Sequence, residues 1–191
     1  MKRERMIFKT TPLAGLFVVQ PQRFVDNRGY FMETYNKAEF APHVGNVEFV
    51  QDNESGSSLG VLRGLHMQKG DDAQAKLVRV VSGAVFDVAV DLRFGSDTFG
   101  QWFGTELSSG NGKMLYIPRG FAHGFVVLSK EAKFVYKVDN RYAPQSEITI
   151  AYDDPEIGIE WPEVQGGFIL SQKDASHAIS FRCFCEDAKY Q

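Results

Sequence analysis

The sequence predicts an all-β fold of the jelly-roll kind, on three observations. Short runs rich in Val, Ile, Leu, Phe and Tyr follow one another, turn residues separate them, and no heptad or long amphipathic helix interrupts the series. So many strands within 191 residues must pack as a sandwich or close into a barrel. A jelly roll achieves this while leaving an open mouth where ligands bind.

The first predicted strands are Gly15 to Val19, Gly29 to Thr34 and the short Phe49 to Gln51, with one or two helical turns from Asn36 to Phe40 between them. Val61 to His66, Lys76 to Val81 and Ala84 to Leu92 follow, the last two separated by a Ser82-Gly83 turn. Gly100 to Leu107, Lys113 to Ile117, Gly124 to Leu128, Ala132 to Val138 and Glu147 to Ala151 complete the set. The clearest alternation runs from Val85 to Leu92. Phe86, Val88, Val90 and Leu92 share one face and Val85, Asp87, Ala89 and Asp91 the other, so one face is expected to be core and the other to carry carboxylates. The stretch beyond Lys173 reads as loop and short helix, a C-terminal tail after about residue 175. No repeat or low-complexity run marks a second domain, so residues 1–191 are expected to form one.

Composition narrows the class of function. A content of 43% hydrophobic and 13% aromatic residues is ample for a core. The net charge is −3, and the only basic block is Lys2-Arg3-Glu4-Arg5, which argues against a nucleic-acid surface or a membrane patch and for a small-molecule partner. Met6-Ile7-Phe8 gives way at once to Lys9-Thr10-Thr11-Pro12, so neither a signal peptide nor a spanning helix is expected, and the expected location is the cytoplasm. Cys183 and Cys185 have neither redox nor zinc-site spacing and are read as reduced and structural.

The chemistry concentrates in Arg63-Gly64-Leu65-His66-Met67-Gln68. Val61, Leu62 and Leu65 mark a buried strand, yet it carries an arginine and a histidine, whose burial costs free energy unless each finds a partner or ligand. A second histidine, His123, sits among small residues in Pro118-Arg119-Gly120-Phe121-Ala122-His123-Gly124-Phe125, and the two strands are expected to share one cavity. Strict alternation would send Arg63 and His66 to opposite faces. For both to meet one ligand a bulge is required, and Gly64 permits it.

Pro118-x-Gly120-x-x-His123 resembles the second motif of the cupins, whose double-stranded β-helix is a small jelly-roll barrel. The first cupin motif usually supplies two histidines one residue apart and a nearby glutamate to a metal. Here the corresponding place reads His66-Met67-Gln68 with no glutamate close behind, and an amide is a poor replacement for imidazole on a transition metal, so no bound metal is expected.

A longer series of blocks resembles the dTDP-4-dehydrorhamnose 3,5-epimerases: Asp26-Asn27-Arg28-Gly29-Tyr30-Phe31-Met32-Glu33, Gln51-Asp52-Asn53, Gly60 to His66, Lys76 to Val80, Phe86 to Arg93, Ile117 to Phe125, and Leu170 to Asp174. The resemblance implies a cupin that uses no metal and no cofactor, acts on a dTDP-4-keto-6-deoxy sugar in dTDP-L-rhamnose synthesis, and forms a homodimer. It implies that His66 removes the C5 and C3 protons, that Tyr136 returns a proton from the opposite face, and that Lys76 holds the enolate charge. Each role suits its group: imidazole titrates near neutrality, a phenol is a weak acid, and an ammonium is a compact positive charge. Without the resemblance, Tyr136 would be a core aromatic beside Phe134 and Val138, and Lys76 a solvated strand-end lysine.

A histidine base needs a hydrogen bond that fixes its tautomer. By resemblance Asp174 supplies it to His66, with Asp87 as a weaker candidate. The diphosphate calls for local positive charge, for which Arg63 and Arg28 are the candidates. The resemblance adds Glu33, Gln51, Asp52, Asn53, His123, Glu147 and Lys173 to the substrate site. Tyr30 or Tyr142 could stack on the thymine, though core packing explains Tyr30 equally well. Three rivals remain: a single-centre epimerase or keto-isomerase on a related sugar, a metal-dependent cupin using His66, His123 and Asp87, and a catalytically silent sugar-nucleotide binder.

Overall fold

The computed structural model describes residues 6–188, and the basic Lys2-Arg3-Glu4-Arg5 start lies outside them. Two antiparallel sheets dominate. The first has the order β1 (Met6–Thr10), β2 (Phe17–Pro21), β10 (Met114–Ile117), β7 (Lys76–Ser82), β12 (Glu131–Val138), β5 (Gln51–Ser58). In the second the order is β13 (Glu147–Thr149), β6 (Leu62–Gln68), β11 (Phe121–Val127), β8 (Ala84–Asp91), β9 (Trp102–Ser108). A separate hairpin joins β3 (Arg23–Asp26) to β4 (Gly29–Met32).

The inner faces of the sheets share one apolar core, in which Val78, Val80 and Phe134 of the first meet Val85, Ala89 and Phe125 of the second. Each sheet also has a covered outer face. Helix α1 (Lys37–Val44), capped by the Asn36 side chain, sets Phe40 against Met6, Val19, Leu77, Met114 and Tyr116 on the first sheet. On the second, Leu65, Val88 and Val90 pack against Ile150, Ile157 and Phe184, the last carried by α3 (Phe181–Ala188). The C-terminal tail is therefore part of the core as well as a terminus.

That cover corrects the expectation for Val85 to Leu92. The alternation is present, but both faces of β8 are buried, and Asp87 and Asp91 are each 0% exposed. The carboxylates survive there because each is satisfied: Asp87 meets His123, and Asp91 accepts bonds from Arg93, Ser96 and Thr98. Burial opposes ionisation of Asp91, yet those donors prevail and hold its carboxyl down to about 2.

Three strand predictions missed for identifiable reasons. β1 and β3 are short and were not anticipated. β5 was expected to end at Gln51 but begins there, running Gln-Asp-Asn-Glu-Ser-Gly-Ser-Ser, a sequence without a single β-branched residue. It is a strand because β12 pairs with it along its whole length, from Gln51 opposite Val138 to Ser58 opposite Glu131. Partner pairing overrides weak local propensity.

Candidate active site

The site begins at a slip in the pairing of β6 with β11. His66 stands opposite His123 and Arg63 opposite Phe125, so three steps on β6 match two on β11. One extra residue is thus accommodated beside Gly64, the bulge required for Arg63 and His66 to face the same way. Only glycine fits: at φ +133 a Cβ would lie 2.5 Å from Gly124 Cα and 2.9 Å from the His123 carbonyl oxygen. Leu65 is free to turn outward into the apolar layer beneath the C-terminal segments.

A cavity of about 200 Å³ opens between the sheets, lined by Arg63, His66, Lys76, His123, Tyr136, Tyr142 and Glu147 with Phe125 and Phe134 as its apolar wall. Each histidine has its own carboxylate. His66 Nε2 lies 2.6 Å from Asp174 Oδ1, and His123 Nε2 lies 2.9 Å from Asp87 Oδ2. Asp87 is therefore the partner of His123 and not of His66. Burial works against the Asp174 charge, but hydrogen bonds from His66, the Ser171 hydroxyl and the Gly64 backbone outweigh it and hold the carboxyl below its usual range. An ionised Asp174 can only accept, so the nitrogen facing it, Nε2, bears a proton, and in the neutral ring the lone pair is then on Nδ1. Asp174 owes its place to α2 (Gln172–Ser176), whose capping residue Ser171 accepts a bond from the Asp174 amide at 3.1 Å.

His66 and Tyr136 enter the cavity from different sheets, β6 of the second and β12 of the first. Lys76, on β7 next to β12, lies on the Tyr136 side, its ammonium 3.4 Å from the His66 carbonyl oxygen. Burial pushes the Lys76 ammonium down to about 8 against the pull of Asp87 and Glu147. The Tyr136 phenol is pushed up, again mainly by burial, with Arg63 opposing. At neutral pH both groups hold their protons.

The rim is a charged cluster. Glu147 Oε2 accepts bonds from Tyr142 Oη at 2.6 Å and Lys173 Nζ at 2.5 Å. Burial disfavours its charge, but Lys173 and Tyr142 keep Glu147 below the usual carboxylate range. Arg63, exposed at the same mouth, is steadied by the Ser57 hydroxyl at 3.2 Å.

Other predicted site residues lie outside this lining. Gln51 and Asn53 are bonded to each other at 2.8 Å, with Asn53 opposite Tyr136, and alternation puts both on the inward side of β5. Asp52 falls on the outward side, where Lys137 Nζ reaches it at 2.8 Å. Arg28 is on the exposed β3–β4 turn, bonded to Asp26 at 2.6 Å, and Glu33 accepts a bond from Asn36 at 2.7 Å. Tyr30, also on that hairpin, is 57% exposed, so core packing does not account for it. Sequence reading passed over Ser55, Gln74 and the role of Gln68 in the lining. The two-residue offset of Gln68 from His66 was the available signal. Among the described residues no group of three or more His, Cys, Asp or Glu side chains is placed to hold a metal ion, Cys183 and Cys185 form no disulfide, and no helix is long and apolar enough to cross a membrane.

Comparison with known proteins shows the family. Residues 10–180 match the family model described as dTDP-4-dehydrorhamnose 3,5-epimerase. The dTDP-4-dehydrorhamnose 3,5-epimerase of Salmonella typhimurium is 52% identical over 172 residues, covering 90% of this chain and 93% of that protein. The crystal structure of the Elizabethkingia anophelis enzyme of the same name superposes with a TM-score of 0.89 at 49% identity, over 94% of this chain and 98% of the other. The dTDP-6-deoxy-D-glucose-3,5-epimerase of Legionella pneumophila, solved with dTDP-4-keto-L-rhamnose, gives 0.86 at 47% identity and covers 90% of each chain. These structures share the all-β double-stranded β-helix expected from the cupin motif. With a family match over most of its length and a fold held in common with solved members, this chain belongs to the dTDP-4-dehydrorhamnose 3,5-epimerase family.

Proposed function

We propose that this protein inverts C3 and C5 of dTDP-4-dehydro-6-deoxy-D-glucose through enolate intermediates, giving dTDP-4-dehydro-L-rhamnose for dTDP-L-rhamnose biosynthesis. The observation that carries this reading is the entry of His66 and Tyr136 into one cavity from opposite sheets. Inversion beside a ketone needs a base on one face of the sugar, an acid on the other, and a positive group for the enolate oxygen between them. His66 Nδ1, oriented through Asp174, takes the proton. Lys76 holds the charge on the C4 oxygen, and the Tyr136 hydroxyl delivers a proton to the other face. The chemistry then needs no metal and no cofactor.

Arg63 and Lys173 supply positive charge to the diphosphate at the mouth, and Tyr142 supplies an aromatic face to the thymine. Arg28, Glu33 and Tyr30 lie on or beside the exposed β3–β4 hairpin, which also presents Val25 and Phe31 to solvent. Their part in the substrate site belongs to a homodimer in which this hairpin reaches the partner's cavity, and a fully active monomer by light scattering would contradict that assembly. The reaction itself is tested by NMR of the product formed in deuterated water. Label at both C3 and C5 with both centres inverted supports the reading. Label and inversion at one carbon alone would make the chain a single-centre epimerase.

A further inference from the structure

Gln68 closes β6 two residues beyond His66, and it is 5% exposed although it lines the cavity. A buried primary amide has two donor hydrogens and an acceptor to satisfy, and here none goes to the open cavity. Nε2 donates to the carbonyl oxygens of Asp72 at 2.6 Å and Arg141 at 3.1 Å, while Oε1 accepts from the Ala143 amide at 2.9 Å. The first bond holds the short turn that follows β6. The other two grip the backbone on either side of Tyr142.

Further bonds join the same two loops. Lys69 donates its amide to the Ser146 carbonyl at 3.0 Å, and Asn140 Nδ2 reaches the Asp71 carbonyl at 2.8 Å. Gln68 differs from these in being central and buried. It links the strand that carries His66 to the segment that places Tyr142, whose hydroxyl is bonded to Glu147. Gln68 also stands opposite Glu147 in the β6–β13 pairing.

We propose that Gln68 is a positioning residue, whose amide holds the 141–143 segment so that Tyr142 stands at the cavity mouth in register with the base on the same strand. It acts through Tyr142 and the backbone, without itself touching the reacting carbons. The inference rests on the proposed function for its kinetic consequence, while the hydrogen-bond geometry stands independently of it.

The test is Gln68→Met, which keeps length and removes every hydrogen bond, together with Gln68→Glu, which keeps the acceptor for Ala143 but loses both donors. Gln68→Met is expected to raise KM about tenfold while kcat of the folded fraction stays within about threefold, since misplacing a binding group acts mainly on binding. Gln68→Glu should be at least as damaging, because one carboxylate oxygen would face the Asp72 and Arg141 carbonyl oxygens in a buried place. In a double-mutant cycle, Gln68→Met should add little to the KM of Tyr142→Ala, because both changes disable the contact made by the Tyr142 ring. Amide exchange at Ala143, measured by NMR in the free protein, should accelerate in Gln68→Met. Wild-type KM in both Gln68 variants, or full additivity with Tyr142→Ala, would overturn the proposal. If the wild-type protein fails to turn over the sugar, the function reading fails instead, and dTDP affinity replaces KM in the same cycle with the same expected tenfold loss.

Discussion

His66 and Tyr136 face one cavity from opposite sheets, and Lys76 stands on the Tyr136 side. A substrate between them meets a lone pair on one face and a phenolic proton on the other, which is the arrangement that inversion of a carbon acid requires. The consequences differ from residue to residue and can be separated by experiment.

Lys76 should trade stability for function. Its ammonium has a folded pKa of about 8 against an ordinary value of 10.5, so the folded state holds this proton less tightly than the unfolded chain. The resulting stability deficit is fully present below pH 8 and fades as pH rises from 8 toward 10.5. Lys76→Met should therefore raise stability near pH 7 by about 1–3 kcal/mol in urea unfolding, while cutting kcat far more than dTDP affinity. Wild-type activity should decline above about pH 8, as the group proposed to carry the enolate charge loses its proton. Equal losses in kcat and binding would move Lys76 to phosphate binding.

Asp174→Asn should leave the cavity intact and spoil the base. The amide can present its NH2 group to His66 Nε2 and so favour the tautomer with its proton on Nδ1. A fall in kcat of about 10²–10⁴ with dTDP affinity unchanged is the expected result. Unchanged kcat would mean that Asp174 does not fix the tautomer.

Gly64→Ala tests the bulge. The added Cβ would meet Gly124 Cα at 2.5 Å, backbone that cannot swing aside, at a φ that side chains rarely adopt. A stability loss of about 2–4 kcal/mol is expected from the urea midpoint. A loss under about 0.5 kcal/mol, the range of neutral surface changes, would show that β6 and β11 can separate there at little cost.

This bulge was legible in the sequence, because Arg63 and His66 had to share a ligand and a glycine lay between them. The His66–Asp174 contact came from family resemblance, since residues 108 positions apart cannot be paired by local pattern. β5 was mostly hidden, because its polar residues form a strand only beside β12. The buried carboxylate face of β8 was misread for a related reason. Alternation shows that two faces differ, but it cannot show that a later segment covers one and a histidine neutralises the other. Gln68 was noticed only as a lost metal ligand, because its three bonds go to backbone atoms that have no signature in sequence.

The division of labour between base and acid is tested most directly by following deuterium at C3 and C5 of the sugar, by NMR, in Tyr136→Phe and His66→Ala. Tyr136→Phe leaves the enolate able to form, so label should enter with retained configuration while net inversion falls by about 10²–10⁴. His66→Ala should abolish both exchange and inversion with dTDP affinity within a few fold. Exchange at the wild-type rate in His66→Ala, or unimpaired inversion in Tyr136→Phe, would contradict the assignment of base and acid to opposite sheets.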